Sequence, residues 1–157
     1  MIRMKNPFKY VRADTVDGII DETFRKAATA AARGKYEGNV AEKAKQKEGL
    51  RVKTVGSLAS DRLKNVASSF PDMEKLPQIY AELIDAVAGL ARLKRAVKRI
   101  RLISNQIKQM QMAYLDKLKK SRHTYDARDA RKSFYGRTAG CLERIEGDLE
   151  MIYEIAP

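Results

Sequence analysis

The chain has 157 residues, of which 44% are hydrophobic and 33% charged, and a formal net charge of +12. That is enough for one domain with its own core and too apolar for general disorder. A single cysteine rules out an intramolecular disulfide, and a single histidine with no Cys/His cluster leaves no metal-ligand spacing. Ala, Leu, Lys, Arg and Glu abound beside only four prolines and no tryptophan, which predicts an all-α fold. Cys141, between Gly140 and Leu142, fits a reducing compartment and has no neighbour that would activate it. The first residues, MIRMKNPFKYVRADT, lack the apolar core of a secretory leader, and no apolar run approaches the ~20 residues of a membrane span. The expectation is a soluble intracellular protein, placed in the cytoplasm.

In chain order, residues 1–13 read as an extended lead-in, with Pro7, Phe8 and Tyr10 as anchors on the body. Asp14 is the expected cap of a helix over 14–33, with Asp17 in its first turn and Val16, Ile20, Phe24, Ala27, Ala28 and Ala31 on one face. Gly34 is the expected stop. GKYEGNVAEKAKQKEGL, polar and holding three glycines, predicts a turn and a weak, mobile start to a helix over 39–70. That helix firms up through Val55, Leu58, Ala59, Arg62, Leu63, Val66 and Phe70, and Pro71 ends it. Pro77 opens a third helix, predicted to run unbroken over 77–121 with a bend at Gly89. Residues 121–124 turn the chain into a last helix over 125–155 carrying Ala127, Ala130, Phe134, Thr138, Leu142, Ile145, Leu149 and Ile152. With no strand alternation and no repeat, the expected architecture is a single domain built as an elongated antiparallel four-helix bundle.

Within the third helix, RLKRAVKRIR (Arg92–Arg101) holds six cations and no acid. At about 100° per residue from Arg92, Leu93, Ala96, Val97, Ile100, Ile103, Ile107, Met110 and Tyr114 fall between about 0° and 140°, while Arg95, Lys98, Lys94, Arg101 and Arg99 fall between about 180° and 340°. The apolar residues therefore belong to the core, and the cations form a separate outer face. Charge also segregates along the chain. Fourteen Lys/Arg against three acids between Leu90 and Lys132 supply +11 of the +12, whereas CLERIEGDLEMIYEIAP has five acids and one arginine. Clustered cations gain affinity for phosphates through counterion release, so nucleic acid is the favoured partner. The candidate contacts are Arg92, Lys94, Arg95, Lys98, Arg99 and Arg101, with Lys119, Lys120, Arg122, Arg128, Arg131 and Lys132 as a second cluster. Replacing Arg95, Lys98 and Arg99 with Glu is expected to leave helicity intact and weaken RNA binding sharply. Tyr125, Phe134 and Tyr135 are weighed as stacking platforms against the more ordinary role of core aromatics. The alternative partner is an acidic protein held by the same face. A membrane surface is less favoured because the apolar stripe is needed inside.

Catalysis finds no support in the residues. The only Gly-Lys pair, Gly34-Lys35, has Thr29 and Tyr36 where a phosphate loop needs Gly and Ser/Thr. Glu143, Glu146 and Glu150 have the spacing of a solvated helix face, and no nucleophile–base set appears. The chain is not expected to be an enzyme or to hold a cofactor.

An ordered set of short motifs adds a resemblance. SDRL (Ser60–Leu63), SFP (Ser69–Pro71), Leu76 followed by YAELID (Tyr80–Asp85), the segment from Ala113-Tyr114 to Lys117, RKSFYGRTA (Arg131–Ala139), NPFK (Asn6–Lys9) and the Asp21–Ala28 stretch with Phe24 and Arg25 together resemble the N-terminal region of the nucleolar-type, Obg-related GTP-binding proteins of ribosome assembly. The likeness covers nearly the whole chain and is weakest over 34–50. One departure is Gln78-Ile79-Tyr80 where that family usually has Pro-Phe-Tyr. The resemblance implies docking on large-subunit ribosomal RNA or its precursor particles, with nucleolar placement in a eukaryote, and adds Arg137 of the Gly136-Arg137 pair to the candidate contacts. It further implies a GTPase domain, with GTP and Mg, starting near where this chain stops at Pro157, so that the chain is expected to be an isolated N-terminal domain. The acidic last turns are then expected to face that domain.

Overall fold

The structure, a computed structural model, describes residues 6–157. The first five residues of the predicted lead-in lie outside the described residues. Among the described residues there are six α-helices and no strand: α1 (Val16–Arg33), α2 (Val40–Ser68), α3 (Gln78–Val87), α4 (Leu90–Lys119), α5 (Thr124–Arg144) and α6 (Glu146–Ile155), with a 3-10 turn at Met73–Lys75 before α3. The all-α expectation holds, but two of the four predicted helices are each divided.

The first division is at Ala88-Gly89. Gly89 takes φ 82°, a left-handed conformation that an L side chain adopts only at a cost. The Asp85 carboxylate accepts from Leu90 N at 3.0 Å and caps the new helix, so the helix stops and restarts where only a bend was expected. The second division is at Ile145, which leaves helical geometry (φ −109°, ψ 12°) while its side chain stays 1% exposed in the core. Its N–H turns back to Leu142 O at 3.1 Å, and its own carbonyl starts α6 by accepting from Leu149 N at 2.9 Å.

Other local expectations shift as well. Residues 6–11 form turns, closed by Lys9 N to Asn6 O (3.2 Å) and Val11 N to Phe8 O (3.1 Å), rather than an extended run. Phe8 and Val11 are the anchors, Phe8 meeting Phe70 edge-on at 6.5 Å, whereas Tyr10 is 75% exposed. The cap of α1 is Thr15, whose hydroxyl accepts from Gly18 N, because Asp14 is engaged elsewhere. The buried stripe of α1 runs through Val16, Ile19, Thr23, Ala27 and Ala31, with Ile20 and Phe24 at its edge and Ala28 exposed. At the start of α2, Asn39 caps Glu42 N at 2.9 Å, so the segment expected to be weak begins as a regular capped helix.

α2 and α4 form the central contact, and α1 and α5 flank α2. At the crossing of α2 and α4, Ser60 and Ser104 exchange hydroxyl-to-carbonyl hydrogen bonds at 3.0 and 2.8 Å. Gly56 lies against Gln111, where a Cβ would stand 2.9 Å from the Gln111 Cβ. Small and polar residues thus bring the two longest helices together, and their polar atoms are paired as burial requires. The apolar core falls into two parts. A large aliphatic one includes Ile19, Leu63, Leu93, Ile100, Ile107, Leu142, Leu149 and Ile152. A smaller one around Phe134 and Tyr114 takes in Val52, Val55, Leu118 and Ala127.

Candidate nucleic-acid interface

α5 and α6 run back along α4. Leu118 shares a cluster with Ala127, Tyr114 Oη bonds Ser133 Oγ at 2.8 Å, and Arg99 reaches Asp148. The two predicted cation clusters therefore lie at opposite ends of α4. Arg95 and Lys119 are about 36 Å apart along the helix axis at 1.5 Å per residue. They do not form one patch.

At the first end, Arg92, Arg95 and Lys98 are exposed and enter no ion pair among the described residues. The others are engaged. Lys94 Nζ pairs with Glu74 at 3.0 Å. Arg99 holds Asp148 in a two-pronged contact, Nε to Oδ2 at 2.8 Å and Nη2 to Oδ1 at 2.5 Å, which fastens α6 to α4. That hydrogen bond and the facing charge hold the Arg99 guanidinium above its ordinary pKa. Arg101 approaches Ala67 O at the end of α2. Arg99 was expected on the outer surface and its side chain is half exposed, yet it also fixes a helix, so reversing its charge would disturb the fold.

At the second end, Lys119, Arg122, Arg128 and Lys132 are exposed, and Lys120 pairs only with Asp116 one turn away. Arg131 is turned inward. Its Nε donates to Glu48 Oε2 at 2.7 Å, with the two side chains 15% and 10% exposed, and its guanidinium lies over the Tyr135 ring. Of the three aromatics weighed as stacking platforms, Phe134 is fully buried and Tyr135 is stacked on Phe24 with ring centres 4.4 Å apart. Burial also keeps the Tyr135 phenol above its ordinary pKa. Only Tyr125, 61% exposed and stacked on His123 at 5.2 Å, still presents a free face.

The motifs that carried the resemblance turn out to be mostly architectural. In SDRL, Ser60 pairs with Ser104, Leu63 is fully buried, and Arg62 clamps α1. Its Nε and Nη2 each donate to the Asp14 carboxylate at 2.8 Å and its Nη1 to Glu22. In RKSFYGRTA, Arg131, Ser133, Phe134 and Tyr135 all make internal contacts. Arg137, like Lys132, is exposed, with its guanidinium 5.8 Å from the Tyr114 ring centre. Arg144, two turns further along α5 on the same face, is exposed too and is not singled out by the sequence reading. The seven-residue spacing is the signal that would have found it.

A cleft of about 330 Å³ between the start of α1 and α6 is lined by acidic side chains, among them Asp14, Asp17, Glu146, Glu150 and Glu154. Glu143, Glu146 and Glu150 are all exposed, as a solvated face requires. Among the described residues no helix is long and apolar enough to cross a membrane.

The fold and its surface define an all-helical domain with polar internal clamps and exposed cations at both ends of its longest helix. Residues 11–157 match the NOG1 N-terminal helical domain, and the chain belongs to that family. It is also similar to an uncharacterized protein of Methanocaldococcus jannaschii, 27% identical over 157 residues. That match covers 97% of this chain and 44% of the relative, so the chain spans less than half of the relative's length.

Proposed function

We propose that this chain is the RNA-docking N-terminal domain of a GTP-binding protein that acts in assembly of the large ribosomal subunit. Membership of the NOG1 N-terminal family supports the GTP-binding context. The observation that carries RNA docking is the set of exposed cations left after internal pairs are removed: Arg92, Arg95 and Lys98 at one end of α4, and Lys119, Arg122, Arg128 and Lys132 at the other. Cations held apart at the two ends of α4 suit a phosphate backbone, where contacts position the protein without reading sequence.

In this reading the partners are ribosomal RNA or the pre-ribosomal large subunit, and the protein's own GTPase domain. GTP and Mg belong to that domain, and these helices catalyse nothing themselves. The site of action is the cytoplasm, or the nucleolus in a eukaryote. The competing reading is an acidic protein on the same cations. Capture of the full-length protein with its partners, with and without RNase, separates them. Loss of partners on digestion supports RNA docking, and retention after complete digestion overturns it.

A further inference from the structure

Between the two cation clusters, on the seam of α4 and α5, lies an open groove of about 460 Å³ lined by Gln106, Gln109, Met110, Arg137, Gly140, Cys141 and Arg144. Its volume falls within the roughly 300–1,000 Å³ of ordinary small-ligand sites. The two arginines stand seven residues apart on one helix, about 10.5 Å along its axis, and no carboxylate lines the groove. Met110 and Cys141 give it an apolar floor. Gly140 keeps the floor open, since a Cβ there would meet nothing within 4 Å. The exposed amides of Gln106 and Gln109 form the opposite wall and offer both donors and acceptors.

From this lining we infer that the groove is a subsite for an unpaired RNA segment, a refinement that rests on the RNA-docking reading above. Arg137 and Arg144 hold successive phosphates of the strand. A base lies over Met110 and Gly140, and the glutamine amides meet its edge, which is accessible only in an unpaired strand. A duplex could reach the arginines but could not seat a base on the floor. Position adds to the case. Lys117, at the second cluster, shares the Tyr114 ring with Arg137, their cationic groups 5.7 and 5.8 Å from its centre. A strand leaving the groove in that direction therefore continues onto exposed cations.

The test compares binding of an unstructured oligonucleotide with that of a hairpin duplex, for the wild type, for Gly140→Leu, and for Arg137→Ala with Arg144→Ala. Gly140→Leu changes no charge and projects into open space on a helix that tolerates leucine better than glycine, so helicity and melting temperature check that it folds. The expected result is about a tenfold loss for the unstructured strand with the duplex unchanged. The double arginine variant should lower the salt slope for the unpaired strand by about 1.4, at roughly 0.7 per phosphate released. Equal loss for both RNAs, or wild-type binding of the unstructured strand by Gly140→Leu, overturns the groove while leaving RNA docking intact. A wild type that binds neither RNA overturns both.

Discussion

Arg128 and Arg131 stand one turn apart on α5 and read alike in the sequence, yet one is solvated and the other is locked in the interior with Glu48. The same division recurs at the opposite end, where Arg95 faces solvent and Arg99 clasps Asp148. A run of cations thus contains two populations, one that holds helices together and one that is free to meet a partner. Charge density in the sequence measures only their sum.

The difference can be broken most strongly at Arg131. Arg131→Ala leaves Glu48 buried without its counter-charge and should cost about 3 kcal/mol in urea unfolding, whereas Arg128→Ala should fall within about 0.5 kcal/mol of wild type. Equal effects would erase the distinction. At the other end, Arg99→Ala should cost about 1 kcal/mol, discounted because its guanidinium is half open to water, while Arg92→Ala should cost almost nothing. Amide exchange should show the Arg99 loss as opening confined to α6.

The break at Gly89 separates the end cluster from α3, and Gly89→Ala should destabilise by about 1 kcal/mol through the left-handed backbone it must adopt. By contrast, Gly140→Ala on open helix surface should be stabilising by about 0.5–1 kcal/mol. The smallest effect concerns the Arg62 clamp. The Lys26 hydrogen bond, then the Arg62 charge, holds the Glu22 carboxyl below its ordinary value of 4.5. Its contribution to stability is therefore complete above about pH 4.5 and is lost as pH falls through the lowered folded value. Glu22→Gln should flatten the acid limb of the stability–pH curve and leave the neutral region's slope unchanged.

Much of this fold could be read from the sequence because helix periodicity is repeated over long segments. Val55, Ala59, Leu63 and Val66, or Leu93, Val97, Ile100 and Ile107, are buried as their spacing demands. The helix breaks were less legible. Ile145 is apolar and in phase with its neighbours, so nothing local marks it, and Gly89 looks like a bend until its φ is known. Polar interior pairs were hidden for a related reason. Polar residue type argues against burial of Glu48, Ser60, Ser104 and Arg131 even where helical phase sets them beside core residues, and only the meeting of distant helices shows that each has a partner. The same blindness placed Arg99 and Arg131 among the surface cations. Arg144 went unnoticed because it lies beyond the dense run, although it shares a face with Arg137.

The central claim is that the solvated population, and not the total charge, binds RNA. The most direct measurement is RNA affinity against salt for Arg92→Glu/Arg95→Glu/Lys98→Glu, compared with the wild type at equal helicity. Loss of affinity with a salt slope shallower by about 2.7, at roughly 0.9 per phosphate contact, is the predicted result. Unchanged affinity and slope at low salt would contradict it.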